Sequence, residues 1–226
     1  MEHIMKIDLH VHTKEVSRCG KLTAAEIAAL YKEAGYDAIC ITNHFSIHTV
    51  NWLARQGKFD FIKAFDEGFE LAKEECAKVG IRAFKGYELR CNENDNDFLV
   101  YEMPKYLLDN YQTLLALPMK DFLTVIRQNG VKIYQAHPFR NGIRVTNPDL
   151  LDGVEVYNGH PGHNSRNPMV HVWADLHPHL KKLSGSDCHE THHAGRGGII
   201  TDWDIQSEAQ LIECIQSGEY SLIETQ

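Results

Sequence analysis

The first apolar run of the chain alternates with a strict period of two residues. Apolar side chains occupy the odd positions from Met5 to Val11, and polar side chains occupy the even positions up to His12. This period is typical of a β-strand, whose successive side chains point to opposite faces. His10 and His12 are therefore expected on one face, about 7 Å apart along the strand. There both imidazoles can bind one metal ion, while Asp8 orients a ring through a hydrogen bond.

Further candidate metal ligands come at the ends of later predicted strands. His44, Glu88 and His137 each end or follow a short apolar run, and Asp187 and His189 follow the last of these runs. The carboxyl ends of parallel strands meet at one rim in barrel-like folds, so these side chains should lie beside the two histidines of the first strand. Five imidazoles and two carboxylates would desolvate and repel one another without cations. The sequence therefore predicts a site for metal ions at this rim.

Predicted strands and helices alternate along the chain. Thr23 and Glu26 form a capping box that starts one helix, and an amphipathic pattern predicts a long helix over residues 59–79. Repeated strand–helix units favour a parallel sheet with right-handed crossovers, and about seven of them favour closure into a TIM-barrel-like fold. We therefore expect an α/β protein whose single domain spans residues 1–226. Residues 45–58 and 140–148 are predicted loops, in which substrate specificity would lie.

Composition limits the partners and the location of the protein. The formal net charge of −8 opposes binding of a nucleic-acid polymer, which needs a basic face. No apolar run approaches the roughly 18 residues that cross a bilayer, and the N-terminus lacks a signal-peptide pattern. The six cysteines are scattered and include no Cys-x-x-Cys pair. We therefore expect a cytoplasmic protein with reduced thiols and no membrane partner. The oligomeric state is not indicated.

The chain contains 14 histidines, and those outside the predicted strand ends are expected to be mostly solvated. His160, His163, His192 and His193 fall in predicted loops that flank the rim. We expect solvated positions for them rather than positions in the mouth of the site.

Five motifs resemble, in the same order, those of the PHP (polymerase and histidinol phosphatase) superfamily, over nearly the whole chain. They lie at residues 8–13, 41–44, 86–88, 136–138 and 185–189. The resemblance implies a distorted (βα)7 barrel of PHP type with two or three divalent metal ions at its C-terminal rim. It also implies a metal-dependent phosphoesterase, because stand-alone members of the family typically hydrolyse phosphate esters.

The resemblance also implies a division of the ligands among the ions. The first ion would be held by four residues, His10, His12, Glu88 and Asp187. Glu88 and His137 would hold the second, and His44 and His189 the third.

Three positions depart from the family pattern. Asn43 stands where the family usually has Asp, so a neutral amide would support the neighbouring ligand. Asp97 stands near the place of a missing histidine, and either replaces it as an oxygen ligand or is a turn residue. Cys19 stands near the place of an Asp or His, and is a candidate thiolate ligand of the third ion.

The expected chemistry is hydrolysis of a small phosphorylated metabolite or nucleotide. A water that bridges two ions would lose a proton near neutral pH, and the resulting hydroxide would attack phosphorus in line. Glu88, His137 and Asp187 would form the catalytic centre together with the ions. Mixed nitrogen and oxygen ligands suit zinc, manganese or iron.

Three arginines are candidate phosphate ligands. Arg140 follows His137 by three residues, and related phosphoesterases carry an arginine at this place. Arg166 and Arg196 lie in predicted loops and are further candidates.

Two other functions would use the same residues. A metal-dependent amidohydrolase also begins with His-x-His and has a strand-end aspartate, but often adds a bridging lysine, for which no position here is convincing. A non-catalytic PHP metal-binding module is the second alternative, although such modules tend to have lost ligands that this chain keeps. Monoester or diester specificity cannot be derived from the loops.

Overall fold

The computed structural model describes residues 4–225, in which strands and helices are interspersed but do not alternate strictly as the sequence predicts. The β-strands of this part of the chain are β1 (Met5–Val11), β2 (Ala38–Ile41), β3 (His44–Phe45), β4 (Arg82–Lys85), β5 (Tyr87–Leu89), β6 (Phe98–Val100), β7 (Tyr134–Gln135), β8 (Gly153–Asn158), β9 (Lys181–Gly185), β10 (Gly197–Thr201) and β11 (Ser221–Glu224). Its α-helices are α1 (Ala24–Glu33), α2 (Ile47–Arg55), α3 (Phe61–Lys78), α4 (Lys105–Asp109), α5 (Tyr111–Ala116), α6 (Met119–Gln128), α7 (Asn167–Asp175) and α8 (Glu208–Ser217).

The strands form two sheets with mixed directions. One sheet has the order β11-β10-β1-β2-β4, and the other has the order β3-β5-β6-β7-β8-β9. The β1, β2 and β4 strands are parallel, as are β7, β8 and β9. The β10 strand runs antiparallel to β1, and β6 runs antiparallel to both of its neighbours. The fold is therefore a mixed α/β domain rather than an all-parallel one.

The expected closure into a (βα)7 barrel is not confirmed, because the two sheets do not join into one closed ladder. They do approach each other where the metal ligands lie. The backbone N–H of His12 donates to the carbonyl of Cys188 at 3.1 Å, and the N–H of Cys188 donates to the carbonyl of His10 at 3.2 Å. These contacts bring the end of β1 against the segment that follows β9, although the two strands belong to different sheets.

The predicted capping box is confirmed at α1, where Thr23 and Glu26 bond each other's backbone N–H groups. The predicted long helix is α3. The prediction of a loop over residues 45–58 is wrong, because α2 occupies most of it. Ser46 caps this helix by accepting a hydrogen bond from the Thr49 N–H, and buried Leu53 anchors it to the core. A helical spacing is present in the sequence at Ile47, Val50 and Leu53, and the loop prediction overlooks it.

The strand that carries the first two histidines lies in the buried centre of the molecule. Met5, Ile7 and Leu9 of β1 are fully buried in one apolar cluster, which also contains Leu183 of β9 and Ile199 of β10. A second cluster packs α2 and α3 against β3 and β5. The strand ends that bear the candidate ligands are therefore anchored on both sides by packed core.

The six cysteines are unpaired. In the part of the chain that the structure describes, none of the helices combines the length and apolar character needed to cross a membrane.

Candidate metal centre

His10 in β1 and His12 just after it form the centre of the site. Both are fully buried, and their Nε2 atoms face each other at 3.1 Å. Glu88 oxygens lie 3.3 Å from each of these nitrogens. Asp187 Oδ1 lies 3.5 Å from the His10 nitrogen and 3.4 Å from the His12 nitrogen. The sequence-predicted first ligand set is thus brought together in one place.

These separations are those of a ligand shell around a metal ion. Nitrogen and oxygen ligands lie about 2.0–2.2 Å from zinc, so the edges of a tetrahedron around it are roughly 3.3–3.6 Å long. The contacts between the two imidazole nitrogens and the two carboxylates span 3.3–3.5 Å, with one Glu88 oxygen near each nitrogen, and the two nitrogens are slightly closer to each other, at 3.1 Å. His10, His12, Glu88 and Asp187 therefore fit one divalent ion.

Glu88 connects the histidine groups, because its strand lies between them. The register of β3 and β5 pairs Glu88 with His44. Glu88 Oε2 lies 2.7 Å from His44 Nδ1, and Glu88 Oε1 lies 3.1 Å from His137 Nε2. This carboxylate touches four candidate histidine ligands and can serve two ions at once.

The ends of two strands turn through strained backbone at the site. His137 and Asp187 have φ values of 30° and 53°, in the region that non-glycine residues rarely adopt. Hydrogen bonds hold both residues: the His137 N–H donates to Glu155 Oε2 at 2.9 Å, and Asp187 Oδ2 accepts from Arg140 at 2.7 Å. Such strain is typical of functional sites, where the surrounding structure stabilises it.

Glu155 is a site residue that the sequence analysis missed. Its Oε1 lies 2.9 Å from His10 Nδ1, and its Oε2 accepts hydrogen bonds from the backbone of His137 and, at 2.9 Å, from Asn158 Nδ2. A Cβ on Gly185 would lie 2.5 Å from the His10 Cβ and 2.8 Å from Glu155 Oε1, so only glycine permits this approach. In the sequence, the only indication of this residue is a glutamate between two strand-forming valines, Val154 and Val156.

The predicted supporting residue Asp8 bonds backbone groups rather than an imidazole ring. Asp8 accepts hydrogen bonds from the backbone N–H groups of His10 at 3.1 Å and Ser186 at 3.0 Å, and from the Tyr31 hydroxyl at 2.7 Å. The prediction that it orients an imidazole ring is wrong, because Glu155 holds that position. Asp8 instead fixes the backbone of β1 against the segment after β9, and burial raises its pKa to about 6.

Asn43 supports the site through a hydroxyl. Its Oδ1 accepts from Ser17 Oγ at 2.8 Å. The same Ser17 Oγ lies 3.3 Å from His12 Nδ1 and accepts from the His44 backbone N–H at 3.1 Å. The amide therefore holds two candidate ligands indirectly.

Cys19 lies on the open side of the cluster. Its Sγ is 3.1 Å from His189 Nε2, and the His189 and His12 rings stack at 4.4 Å. The ligand atoms of His12, His44 and His189 lie within 4.8 Å of one another. Burial raises the thiol pKa, but hydrogen bonds with His189 and His44 outweigh it and lower the pKa to about 6.

Asp97 lies at the edge of the site and is bound by an arginine. Arg90 Nε donates to Oδ1 at 2.7 Å, and Nη2 donates to Oδ2 at 2.5 Å. His137 Nε2 is 3.8 Å from Oδ2. Asp97 could hold an ion with His44 and Glu88, whose ligand atoms lie within 4.8 Å of its own, but both of its oxygens already have a strong partner.

Opposing charges set the protonation of the buried cluster. Burial alone would lower the pKa of His10, but Asp187, Glu155 and Glu88 raise it well above its ordinary value. Burial likewise opposes ionisation of Glu88, but His44 and His10 hold its pKa well below its ordinary value. Imidazolium–carboxylate pairs therefore stabilise the cluster, and a divalent ion would replace their protons.

The three candidate phosphate-binding arginines differ in position. Arg140 lines a rim cavity of about 380 Å³, together with Glu88 and Asp187. Its Nη2 contacts Asp187 and lies 2.9 Å from Asn158 Oδ1, while its buried Nε has no hydrogen-bond partner in residues 4–225.

Arg166 and Arg196 do not line this cavity in the described part of the chain. Arg166 donates to the Phe139 carbonyl and, at 2.5 Å, to Asn141 Oδ1. Arg196 Nε donates to the Gly159 carbonyl at 2.9 Å. Both arginines hold loop backbone, which differs from the predicted phosphate-binding role.

Loop histidines that were expected to be solvated instead reach the site. His160 and His163 line the rim cavity, and His193 is buried. His160 Nδ1 accepts from the Gly162 N–H at 3.0 Å, and His193 Nδ1 accepts from the His189 N–H at 3.3 Å. Each neutral ring then carries its proton on Nε2. Sequence patterns could not show that these loops fold back over the rim.

The fold and the site together define a mixed α/β protein with a buried cluster of imidazoles and carboxylates that can hold metal ions. The chain belongs to the PHP domain family, whose model matches residues 8–184. No curated protein matches the sequence significantly.

Solved structures share this fold. A two-domain protein from Bacteroides vulgatus ATCC 8482, which contains a predicted PHP-like metal-dependent phosphoesterase, aligns with a TM-score of 0.68 at 20% identity; the match covers 98% of this chain and 65% of that protein. This chain thus spans about two thirds of the length of the Bacteroides protein. PsfC from Pseudomonas syringae PB-5123 aligns with a TM-score of 0.66 at 18% identity, over 99% of this chain and 92% of its own. An amidohydrolase from Chromobacterium violaceum, with bound sulfate and no metal, aligns with a TM-score of 0.54 at 16% identity, over 92% and 96% of the two chains.

Proposed function

We propose that this PHP-family chain hydrolyses phosphate esters of small molecules with the help of two or three divalent metal ions. The observation that carries the proposal is the ligand shell formed by His10, His12, Glu88 and Asp187, whose contacts match the edges of a metal-centred tetrahedron. Glu88 and His137 would hold a second ion, and His44 and His189 a third, with Cys19 as a further ligand. Zinc, manganese and iron suit this donor set.

The bound ions would lower the pKa of a coordinated water and neutralise the charge of a phosphate ester. The protein's own residues prepare the site for this chemistry. Glu155 holds the His10 ring with its Nε2 directed toward His12. The carboxylates of Glu88 and Asp187 supply two negative charges that recruit the cations.

Substrate binding would depend on groups around the ions. The Nη2 of Arg140 donates to Asp187 and Asn158, while its Nε has no partner in residues 4–225 and can donate to a phosphate oxygen. His160 would present an Nε2–H to the same cavity, because its Nδ1 accepts from the Gly162 backbone. Burial lowers the pKa of His160 to about 3, so this donor stays neutral.

The amidohydrolase alternative is less well supported. A bridging lysine is common in that class, and no lysine lines the rim cavity within residues 4–225. Phosphate esters also match the cationic Arg140 and the bound ions better than neutral amides do.

The test is a hydrolysis screen on protein loaded separately with manganese, zinc and iron. Phosphorylated metabolites, a bis(nitrophenyl) phosphate diester, lactams and linear amides would be compared. We expect metal-dependent release of phosphate or nitrophenol and no cleavage of amides. Cleavage of amides alone would assign the protein to the amidohydrolase class, and no turnover of any substrate would favour a non-catalytic metal-binding role.

A further inference from the structure

A second cavity lies beside the rim cavity and has the opposite charge character. Its volume is about 530 Å³, within the range of small-molecule sites. Cys19, His44 and Arg90 line both cavities, so a molecule can extend from one into the other. We call this second space the arginine cavity, because Arg18 and Arg55 complete its basic wall.

The arginine cavity contains free positive charge. Arg90 is neutralised by Asp97 and by Asp95, whose Oδ1 lies 3.2 Å from Nη1. Arg18 and Arg55 have no hydrogen-bond or ion-pair partner within residues 4–225. No carboxylate lines the cavity in this part of the chain. Two unpaired guanidinium groups on one cavity are notable in a chain with a net charge of −8.

The remaining walls offer an aromatic surface and hydrogen-bonding groups. Trp52 lines the cavity and is half-buried against the core, so its indole is held in place. Ser46, Thr49 and Asn51 supply polar groups. Both Trp52 and Arg55 lie on α2, which occupies a segment that the sequence predicted as a loop.

We propose that the arginine cavity binds the alcohol portion of the substrate, and that this portion carries its own anionic group. The inference rests on the proposed function, which places the scissile phosphate in the rim cavity. Arg18 and Arg55 bind the second anion, a carboxylate or a further phosphate, and Trp52 contacts a planar or apolar part of the same molecule. Phosphate esters of neutral alcohols leave both arginines without a counter-charge, so they bind more weakly.

The test compares two phosphonates that the enzyme cannot hydrolyse. 4-Carboxybenzylphosphonate and 4-carbamoylbenzylphosphonate have nearly the same shape and differ in the charge of the para group. Calorimetric titration into manganese-loaded protein measures both affinities without any turnover. A charge-assisted hydrogen bond to an arginine predicts that the carboxylate compound binds about 10- to 100-fold more tightly.

The variants assign this preference to the cavity. In Arg18→Gln/Arg55→Gln the affinity ratio should fall to about one. Arg144→Gln is the matched control, because exposed Arg144 also has no side-chain partner in residues 4–225 and lies outside both cavities. It should keep the wild-type ratio.

Three results would overturn the inference: equal affinities in the wild type, a preference that survives in the double variant, or failure of both phosphonates to bind. Hydrolysis of phenyl phosphate is measured in parallel. Hydrolysis without a charge preference would reject the arginine cavity and leave the proposed function intact. A charge preference without hydrolysis would keep the cavity and reject the proposed function.

Discussion

The candidate metal centre has an inner side and an open side, which the protein holds in different ways. The inner side comprises His10, Glu88 and Glu155, whose side chains are at most 1% exposed. The open side comprises His44, His189 and Cys19, where the histidine side chains are 25% and 12% exposed and the cysteine is exposed. Inner residues lie within strands, whereas two of the three open-side residues lie in connecting segments.

This difference has a consequence for metal binding. On the inner side, Glu155 fixes an imidazole ring before any ion arrives, so little conformational freedom is lost on binding. On the open side, His189 Nδ1 lies 2.7 Å from the backbone carbonyl of Asp187, and its Nε2 lies against the exposed Cys19. We therefore expect the inner ion to be retained and the open ion to exchange readily.

Glu88→Gln should have the largest effect, because Glu88 contacts both sides of the centre. The amide keeps the shape but loses the charge, and we expect activity to fall by about a hundredfold or more, with fewer ions per chain. Metal analysis, phosphatase assays and circular dichroism together test this. A folded variant with full activity and unchanged metal content would contradict the bridging role.

Glu155→Gln tests metal binding on the inner side alone. A neutral amide holds the His10 ring but no longer increases its basicity, so we expect a 10- to 100-fold weaker affinity for the most tightly held ion. Competition with a chelator of known affinity measures this. The control is Glu213→Gln, which removes an exposed carboxylate on α8 and should leave the affinity unchanged. Equal metal affinities in the two variants would show that the Glu155 carboxylate does not contribute to metal binding.

Arg140→Ala tests the proposed phosphate ligand, which contacts Asp187. Loss of a charge-assisted hydrogen bond should raise the transition-state free energy by about 2 kcal/mol, or roughly 30-fold in kcat/KM. We expect the metal content to stay constant. Arg140→Lys keeps the charge but not the forked geometry and should recover part of the activity. Wild-type kcat/KM, or loss of metal, in Arg140→Ala would show that the arginine does not bind phosphate.

Cys19→Ala should have the smallest effect, since it removes one ligand from the exchangeable open side. We expect zinc-loaded protein to lose one ion per chain, with activity reduced less than in the Glu88 variant. In the metal-free wild type, the thiol of Cys19 is mostly ionised at neutral pH, because its pKa is lowered to about 6. Alkylation by iodoacetamide should therefore slow only below about pH 6. Equal zinc content in both proteins would exclude Cys19 as a ligand.

Much of the inner side could be predicted from the sequence. The period-two pattern of residues 5–12 predicts His10 and His12 on one face, and strand ends deliver Glu88 and Asp187 to the same place. The sequence predicts that Asp8 lies beside His10 on the first strand, but it does not predict that Asp8 bonds backbone N–H groups instead of an imidazole ring. Distinguishing a backbone hydrogen bond from a ring hydrogen bond requires the separation of two strands, and the sequence does not contain that distance.

Positions outside the strands could not be predicted in this way. The loop histidines His160 and His193 reach the site because their segments fold back over the rim. The α2 helix carries Trp52 and Arg55 to a cavity that no motif indicates. Glu155 was hidden because a single carboxylate in an apolar strand has no spacing pattern of its own.

The sequence by itself determined the strand that presents two imidazoles, the order of the ligand-bearing strand ends and the membership of a metal-binding family. Local periodicity is sufficient for these, since side-chain direction in a strand depends only on position along the chain. The tertiary structure decided that the sheets stay open, that Glu155 holds His10 and that Arg18 and Arg55 have no partner among residues 4–225. These features depend on contacts between residues far apart in the chain, and packing of the whole core fixes their distances.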